Sequence, residues 1–221
     1  MSGRRTVYAG AAMNTAHEHA RVLASSRLSS EDRAGVFERA RDLVIVVADG
    51  AGGLRGGAAA SDALVDAVRL AAHDESFDVY DARRWVRIFE DVDASLSTMM
   101  AGETTAVLVV VGGDMIAGVS AGDSEAWFMT TTSLDDLTAN QNKARLGSGR
   151  ASPVHFHRRC AEGWLVVGTD GLFNYVSHEN IAATVRAEGG PHAVAKRLAS
   201  LARTPSGTYQ DDLGIVVVSF G

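Results

Sequence analysis

Three aspartate pairs stand where apolar runs begin or end. Asp49-Gly50 follows Leu-Val-Ile-Val-Val-Ala at 43–48. Asp170-Gly171 follows Trp-Leu-Val-Val at 164–167, after Gly168-Thr169, and Asp211-Asp212 precedes Ile-Val-Val-Val at 215–218. Runs of this kind, rich in β-branched residues, need burial on both faces and read as central strands. Carboxylates at the mouths of neighbouring central strands repel one another in a partly dry site, so a cation belongs between them. An all-oxygen ligand set suits Mg²⁺ or Mn²⁺ rather than zinc. Gly50 and Gly171 let the backbone turn sharply behind each aspartate, and the Gly50 carbonyl can then be brought to the ion. Each Asp-Gly pair alone is an ordinary turn; the combination makes a metal centre.

The elements that would position these carboxylates emerge from the remaining periodicity. Further strands read at 105–111, 115–120 and 125–129, with Gly112-Gly113-Asp114 and Gly122-Asp123-Ser124 supplying turn chemistry between them, which predicts an antiparallel meander. Ala60, Leu64, Ala67, Val68 and Ala71 recur at helical spacing, as do Trp85, Ile88, Phe89, Val92 and Leu96. Weaker helical patterns cover 179–187 and 192–202. Strands clustered in the middle with helices in pairs at either side predict an α+β sandwich rather than the strict alternation of a doubly wound fold. Residues 132–152, with Asp135, Asp136, Asn140, Gln141, Asn142, Gly147, Ser148 and Gly149, read as a long loop; loops of that length are often functional.

Composition narrows the class. The 221 residues are 46% apolar and 22% charged with 23 Gly and 3 Pro, which fits one globular domain over 1–221 with its own core and excludes disordered and collagen-like chains. A net charge of −6 leaves no surplus cationic field for nucleic acid. No apolar run approaches the roughly 18–20 residues needed to cross a bilayer, so no membrane role is expected. The one cysteine, Cys160, cannot form an internal disulfide and suits the reducing cytoplasm. The start, Met-Ser-Gly-Arg-Arg, is basic, but Asn14, His17, Glu18 and His19 break up any apolar stretch behind it, and it reads as mature protein.

Six short motifs, in order, resemble those of the PPM-type, protein phosphatase 2C-like, metal-dependent Ser/Thr protein phosphatases of bacterial type. They are Glu31-Asp32, Val-Val-Ala-Asp49-Gly50-Ala-Gly-Gly53, Gly102-Glu-Thr-Thr105, Gly122-Asp123-Ser124, Val-Gly-Thr-Asp170-Gly171-Leu-Phe and Asp211-Asp212. The resemblance runs from about Arg27 to Val218, and its strength lies in the shared order. It implies a four-layer α-β-β-α sandwich with two central antiparallel sheets flanked by helices.

It also implies roles. Asp49 would bridge two ions, with the Gly50 carbonyl on the second; Asp170 and Asp211 would hold the first. Glu31 would reach the second through water, and Asp123 with Asp170 would hold a third, weaker ion. Arg27 stands where the family places its phosphate-binding arginine, whose planar fork suits two phosphate oxygens. Two Mn²⁺ or Mg²⁺ ions hold one water, lower its pKa and aim it in line at phosphorus, without a covalent phosphoenzyme. The implied substrate is a phosphoprotein, a Ser/Thr kinase or its targets, with a relative acting on anti-sigma-type substrates differing only there. The alternative is a catalytically silent, phosphatase-like regulatory module that binds a phosphoprotein. A silent module is free to lose a metal carboxylate, and Asp49, Asp170 and Asp211 are all kept.

Some residues depart from the family pattern and others imitate different sites. Ala51 replaces the histidine that animal members place there as a proposed general acid. Ser30 stands for the usual Asn and Glu125 for the common Arg, and the segment between Asp123 and Asp170 is short for the family's substrate flap. His155, His157 and Cys160 resemble a zinc cluster without a fourth ligand and read as a strand edge with a small buried thiol. Gly52, Gly53, Gly56 and Gly57 suggest a phosphate cradle, but no Gly-Lys-Ser/Thr accompanies them.

Overall fold

The computed structural model describes residues 6–8, 17–27, 29–51, 56–160, 162–187 and 189–221. In chain order its elements are β1 (Thr6–Tyr8), β2 (His19–Ala24), β3 (Arg33–Arg39), β4 (Asp42–Ala48), β5 (Gly50–Ala51), α1 (Gly57–His73) and α2 (Ala82–Met99). Next come β6 (Glu103–Thr104), β7 (Ala106–Gly112), β8 (Met115–Ala121), β9 (Glu125–Met129), β10 (Leu134–Asp136), β11 (Val154–Arg159) and β12 (Gly163–Gly168). The chain closes with α3 (Asp170–Phe173), α4 (His178–Arg186), α5 (Pro191–Leu201) and β13 (Leu213–Phe220). One sheet has the order β1-β2-β13-β12-β9-β10 and the other β11-β8-β7-β4-β3, with β5 and β6 as a separate two-stranded ribbon.

The double-sided burial expected of the apolar runs is met residue by residue. In β4, Leu43, Ile45 and Val47 point between the sheets, while Val44, Val46 and Ala48 face α1 and α2. In β13, Val216 and Val218 join the inter-sheet core, while Ile215 and Val217 face α4 and α5. Alternate side chains leave a strand on opposite faces, so an unbroken apolar run can serve two cores at once. Each fully buried Val or Leu contributes about 1.5–3 kcal/mol. The layers are therefore helix, sheet, sheet, helix: an α+β sandwich with two antiparallel sheets.

The helices lie close to their predicted spans. On α2 the buried face carries Trp85, Phe89 and Leu96, and Asp81 caps the start by accepting from the Arg83 amide at 3.1 Å. Proline at the first position of α5 and Ser177 before α4 fit the same rules.

Two expectations are corrected. The meander holds only for β7 and β8, which pair from Ala106↔Ala121 to Gly112↔Met115; β9 pairs instead with β12 and β10 in the other sheet. Gly122-Asp123-Ser124 is thus a crossover between sheets and not a hairpin. Turn residues report that the backbone reverses, not which neighbour it meets next. The 132–152 segment is not wholly loop either. It contains β10, and Leu146 forms a two-way bridge with Thr104, both N–O distances being 2.9 Å.

Candidate metal centre

Strand register gathers the predicted residues. In the five-stranded sheet Arg33 pairs with Ala48, so Glu31 and Asp32, just before β3, lie beside Asp49, just after β4. Ala121 pairs with Ala106, which brings Asp123 to the same end. In the six-stranded sheet Leu213 pairs with Ala24 and Gly168 with Ile215, so Arg27, Asp170 and Asp211 leave their strands together. All seven predicted site residues lie at one end of the sandwich, some from each sheet.

Buried hydroxyls hold the aspartate backbones. The Asp49 amide donates to Thr105 Oγ1 at 2.9 Å, and the Thr105 amide returns a bond of 2.9 Å to the Asp49 carbonyl. Thr105 Oγ1 lies 2.6 Å from Ser124 Oγ, which couples this corner to the Asp123 turn. Gly122 is at φ +99, and a Cβ there would sit 2.9 Å from Thr105, so the turn tolerates only glycine. Across the site, Thr169 and Gly214 bond in both directions at 3.0 Å, tying the start of α3 to the start of β13. The Gly-Glu-Thr-Thr and Gly-Thr-Asp-Gly motifs thus serve as splints for the carboxylates.

Asp32 and Asp212 form an inner carboxylate layer, 2% and 3% exposed. Asp212 accepts from Ser25 Oγ and from the Glu31 amide, the latter at 2.7 Å, which fixes Glu31. Burial holds the Asp32 carboxyl well above the usual carboxylate range, reinforced by the Asp49 charge. Thr169 opposes the rise. Asp49 is raised too, by burial first, with Asp32 and Arg145 opposing. Asp170 is pushed up to about 6 by burial and then by the charges of Asp49, Asp211 and Asp123. Mutual elevation of this kind is what crowded carboxylates in a partly dry cleft produce.

Two arginines stand among them. The Arg27 guanidinium lies 3.7 Å from Glu31, 3.5 Å from Asp211 and 3.9 Å from Asp212. Arg145 Nη2 lies 3.9 Å from Asp49 Oδ2 and 3.7 Å from Asp123 Oδ2. The carboxylates are spaced around these cations, and among the described residues no three acidic, histidine or cysteine side chains already close on one point. Two observations nevertheless fit hard divalent ions. Asp123 Oδ1 and Asp32 Oδ2 are buried without a hydrogen-bond partner. The Gly50 carbonyl and Glu31 Oε1 both face one spot beside Gly57, where a Cβ would be 2.8 Å and 2.6 Å from them. The donor set is all oxygen and strongly anionic, as Mn²⁺ and Mg²⁺ require.

Sequence reasoning missed Arg145 and its support. Asp93, 7% exposed on α2, accepts from the amides of Gly147 at 2.7 Å, Gly149 at 3.0 Å and Ala151 at 3.3 Å. With Leu146 buried in the helix-facing core, the backbone around Arg145 is held on both sides. An aspartate in the apolar stripe Trp85, Phe89, Leu96 was the available signal; Arg145 in a polar loop offered none. The decoys resolve as expected: His155 and His157 are exposed on β11, and Cys160 is buried with its thiol pushed up to about 11 by burial. Gly52 and Gly53 lie outside the described residues.

The fold is that of solved bacterial serine/threonine phosphatases. Stp1 from Staphylococcus aureus superposes with a TM-score of 0.82 at 20% identity, over 96% of this chain and 99% of that one. The catalytic domain of PstP, solved in complex with two manganese ions, gives 0.77 at 21% identity over 92% and 97%. In sequence, 57 residues are 40% identical to probable protein phosphatase 2C 7 of Oryza sativa subsp. japonica, a match covering 26% of this chain and only 15% of that protein. No family model matches the chain. The motif resemblance to the protein phosphatase 2C type is thus met at the level of the fold.

Proposed function

We propose that the protein is a Mn²⁺- or Mg²⁺-dependent phosphatase that hydrolyses phosphoserine and phosphothreonine in proteins. The observation that carries this reading is the meeting of Asp49, Asp123, Asp170, Asp211 and Glu31, drawn from both sheets, at one end of a bacterial phosphatase fold. The two manganese ions of the PstP complex support it.

In this reading Asp49, Asp170 and Asp211 would hold one divalent ion, and Asp49, the Gly50 carbonyl and Glu31 would hold another. Asp123 with Asp170 would hold a third. Divalent ions held there lower the pKa of water and so supply hydroxide near neutral pH. Arg27 binds the substrate phosphate. Its side chain is 58% exposed, and its contacts of 3.5–3.9 Å leave its donors open to phosphoryl oxygens. Ala51 holds no proton to give the leaving serine or threonine oxygen, and water held by the ions would supply it. The whole chain would act as one phosphatase domain on cytoplasmic phosphoproteins, products or members of the Ser/Thr kinase class. Among the described residues no helix is long and apolar enough to cross a membrane.

Hydrolysis of p-nitrophenyl phosphate and of a phosphothreonine peptide, with Mn²⁺, Mg²⁺ or EDTA, tests the reading. Turnover that EDTA removes and Mn²⁺ restores is the expected result. A folded protein inert with both ions, yet retaining the phosphopeptide, would be the silent regulatory module instead.

A further inference from the structure

The loop that carries Arg145 is built with more care than a solvent-exposed connection needs. Three amides bond to one buried carboxylate, Asp93, and a two-way backbone bridge ties Leu146 to Thr104, the residue before Thr105. The Gly122 amide donates to the Asn142 carbonyl at 2.7 Å, and Gln141 Nε2 donates to the Ser124 carbonyl at 2.9 Å. These bonds fix the loop to both flanks of Asp123. What they deliver is a single nitrogen, Nη2, at 3.7 and 3.9 Å from oxygens of two carboxylates that belong to different strand ends.

We infer that Arg145 is a resident counter-cation that competes with a divalent ion for Asp123 and the outer face of Asp49. The inference rests on the metal-centre reading above. A guanidinium and a divalent ion cannot both occupy the space between these two carboxylates without strong repulsion, so one must leave. Displacing the Arg145 side chain costs binding energy at the Asp123 position, which weakens that ion relative to those held by Asp170, Asp211 and Glu31. Arg145 thereby acts as a positioning residue: it keeps the carboxylates apart and paired at low metal concentration, and it sets the concentration at which the Asp123 position fills.

Calorimetric Mn²⁺ titration and thermal unfolding of the EDTA-treated protein test this in wild type, Arg145→Met and Arg145→Lys. Coupling between two bound groups is ordinarily worth roughly 5- to 150-fold. The weakest Mn²⁺ class should therefore tighten at least about fivefold in Arg145→Met, while Arg145→Lys, which keeps the charge, stays near wild type. The EDTA-treated Met variant should also melt lower than wild type and regain the difference on adding Mn²⁺. Unchanged or weaker Mn²⁺ binding in the Met variant, beside normal wild-type binding, overturns the inference and leaves the phosphatase reading standing. Wild type that takes up no Mn²⁺ at all overturns both.

Discussion

Thr105 and Asp49 are joined by two hydrogen bonds of 2.9 Å, the hydroxyl of one receiving the amide of the other while the amide of the first returns to the carbonyl of the second. Thr105→Val keeps the shape and removes the acceptor. The buried Asp49 amide would then lack its partner, a loss of about 1–3 kcal/mol. We expect a lower melting temperature and a larger fall in kcat than in the affinity for phosphopeptide, measured on the same purified variant.

Asp49→Asn and Asp170→Asn should each abolish Mn²⁺-dependent hydrolysis while the protein remains folded. In the proposed reading each removes a negative ligand from a site whose nucleophile would depend on a bound ion. Near wild-type turnover in either variant would sink the assignment.

Asp170 also predicts a pH dependence. Its folded pKa of about 6 lies above the ordinary 3.8, so between those values the folded state binds more protons than the unfolded one. Stability from this group is full below about 4 and is lost as pH rises through 6. His17 and His19, both lowered chiefly by burial, push the other way, so wild type alone is not diagnostic. The difference between Asp170→Asn and wild type is: in EDTA the variant should gain on wild type as pH rises from 4.5 to 7, by roughly 1–2 kcal/mol once solvent screening is allowed for. A constant difference across that range would remove Asp170 from the repulsive cluster.

Arg27→Ala should raise KM for phosphopeptide more than it lowers kcat, since its open guanidinium is assigned to phosphate. A pure kcat effect would place Arg27 with the carboxylates it touches instead.

Asp93→Ala should cost about 2–3 kcal/mol, because three loop amides lose one charged acceptor. Hydrogen exchange should rise at Gly147, Gly149 and Ala151 while α2 stays protected. Unchanged exchange there would show that the Thr104–Leu146 bridge alone holds the loop.

The legible part of this chain is the part written locally. Val44 to Ala48 and Ile215 to Val218 announce buried strands because each successive residue must satisfy one of two cores, and the aspartates beyond them mark where those cores stop. β2 and β3 escaped notice because His19, Arg21, Arg33 and Arg39 dilute their apolar content, although alternate residues of β2 and the adjacent Ala34 and Gly35 of β3 are buried. The Asp123 turn was visible but its destination was not, since Gly122 satisfies a steric demand imposed by Thr105, a neighbour in space. Arg145 depends wholly on such remote partners, so no periodicity or spacing marks it, while Asp93 is marked only by standing in the apolar stripe of α2.

The division of the carboxylates between the two sheets has a mechanical consequence. Asp49 and Glu31 ride on one sheet and Asp170, Asp211 and Arg27 on the other, with Asp123 on the crossover between them; the contacts between the layers are chiefly apolar, those of Val47, Val167 and Val216 among them, beside the Arg21–Ala34 hydrogen bond and the Arg158–Asp135 ion pair. An ion gripped from both sides would act as a rivet through the sandwich, resisting any slip of one layer over the other. Trimming Val167 or Val216, neither of them a ligand, would then loosen the grip on metal, and filling the site would make the two layers unfold as one.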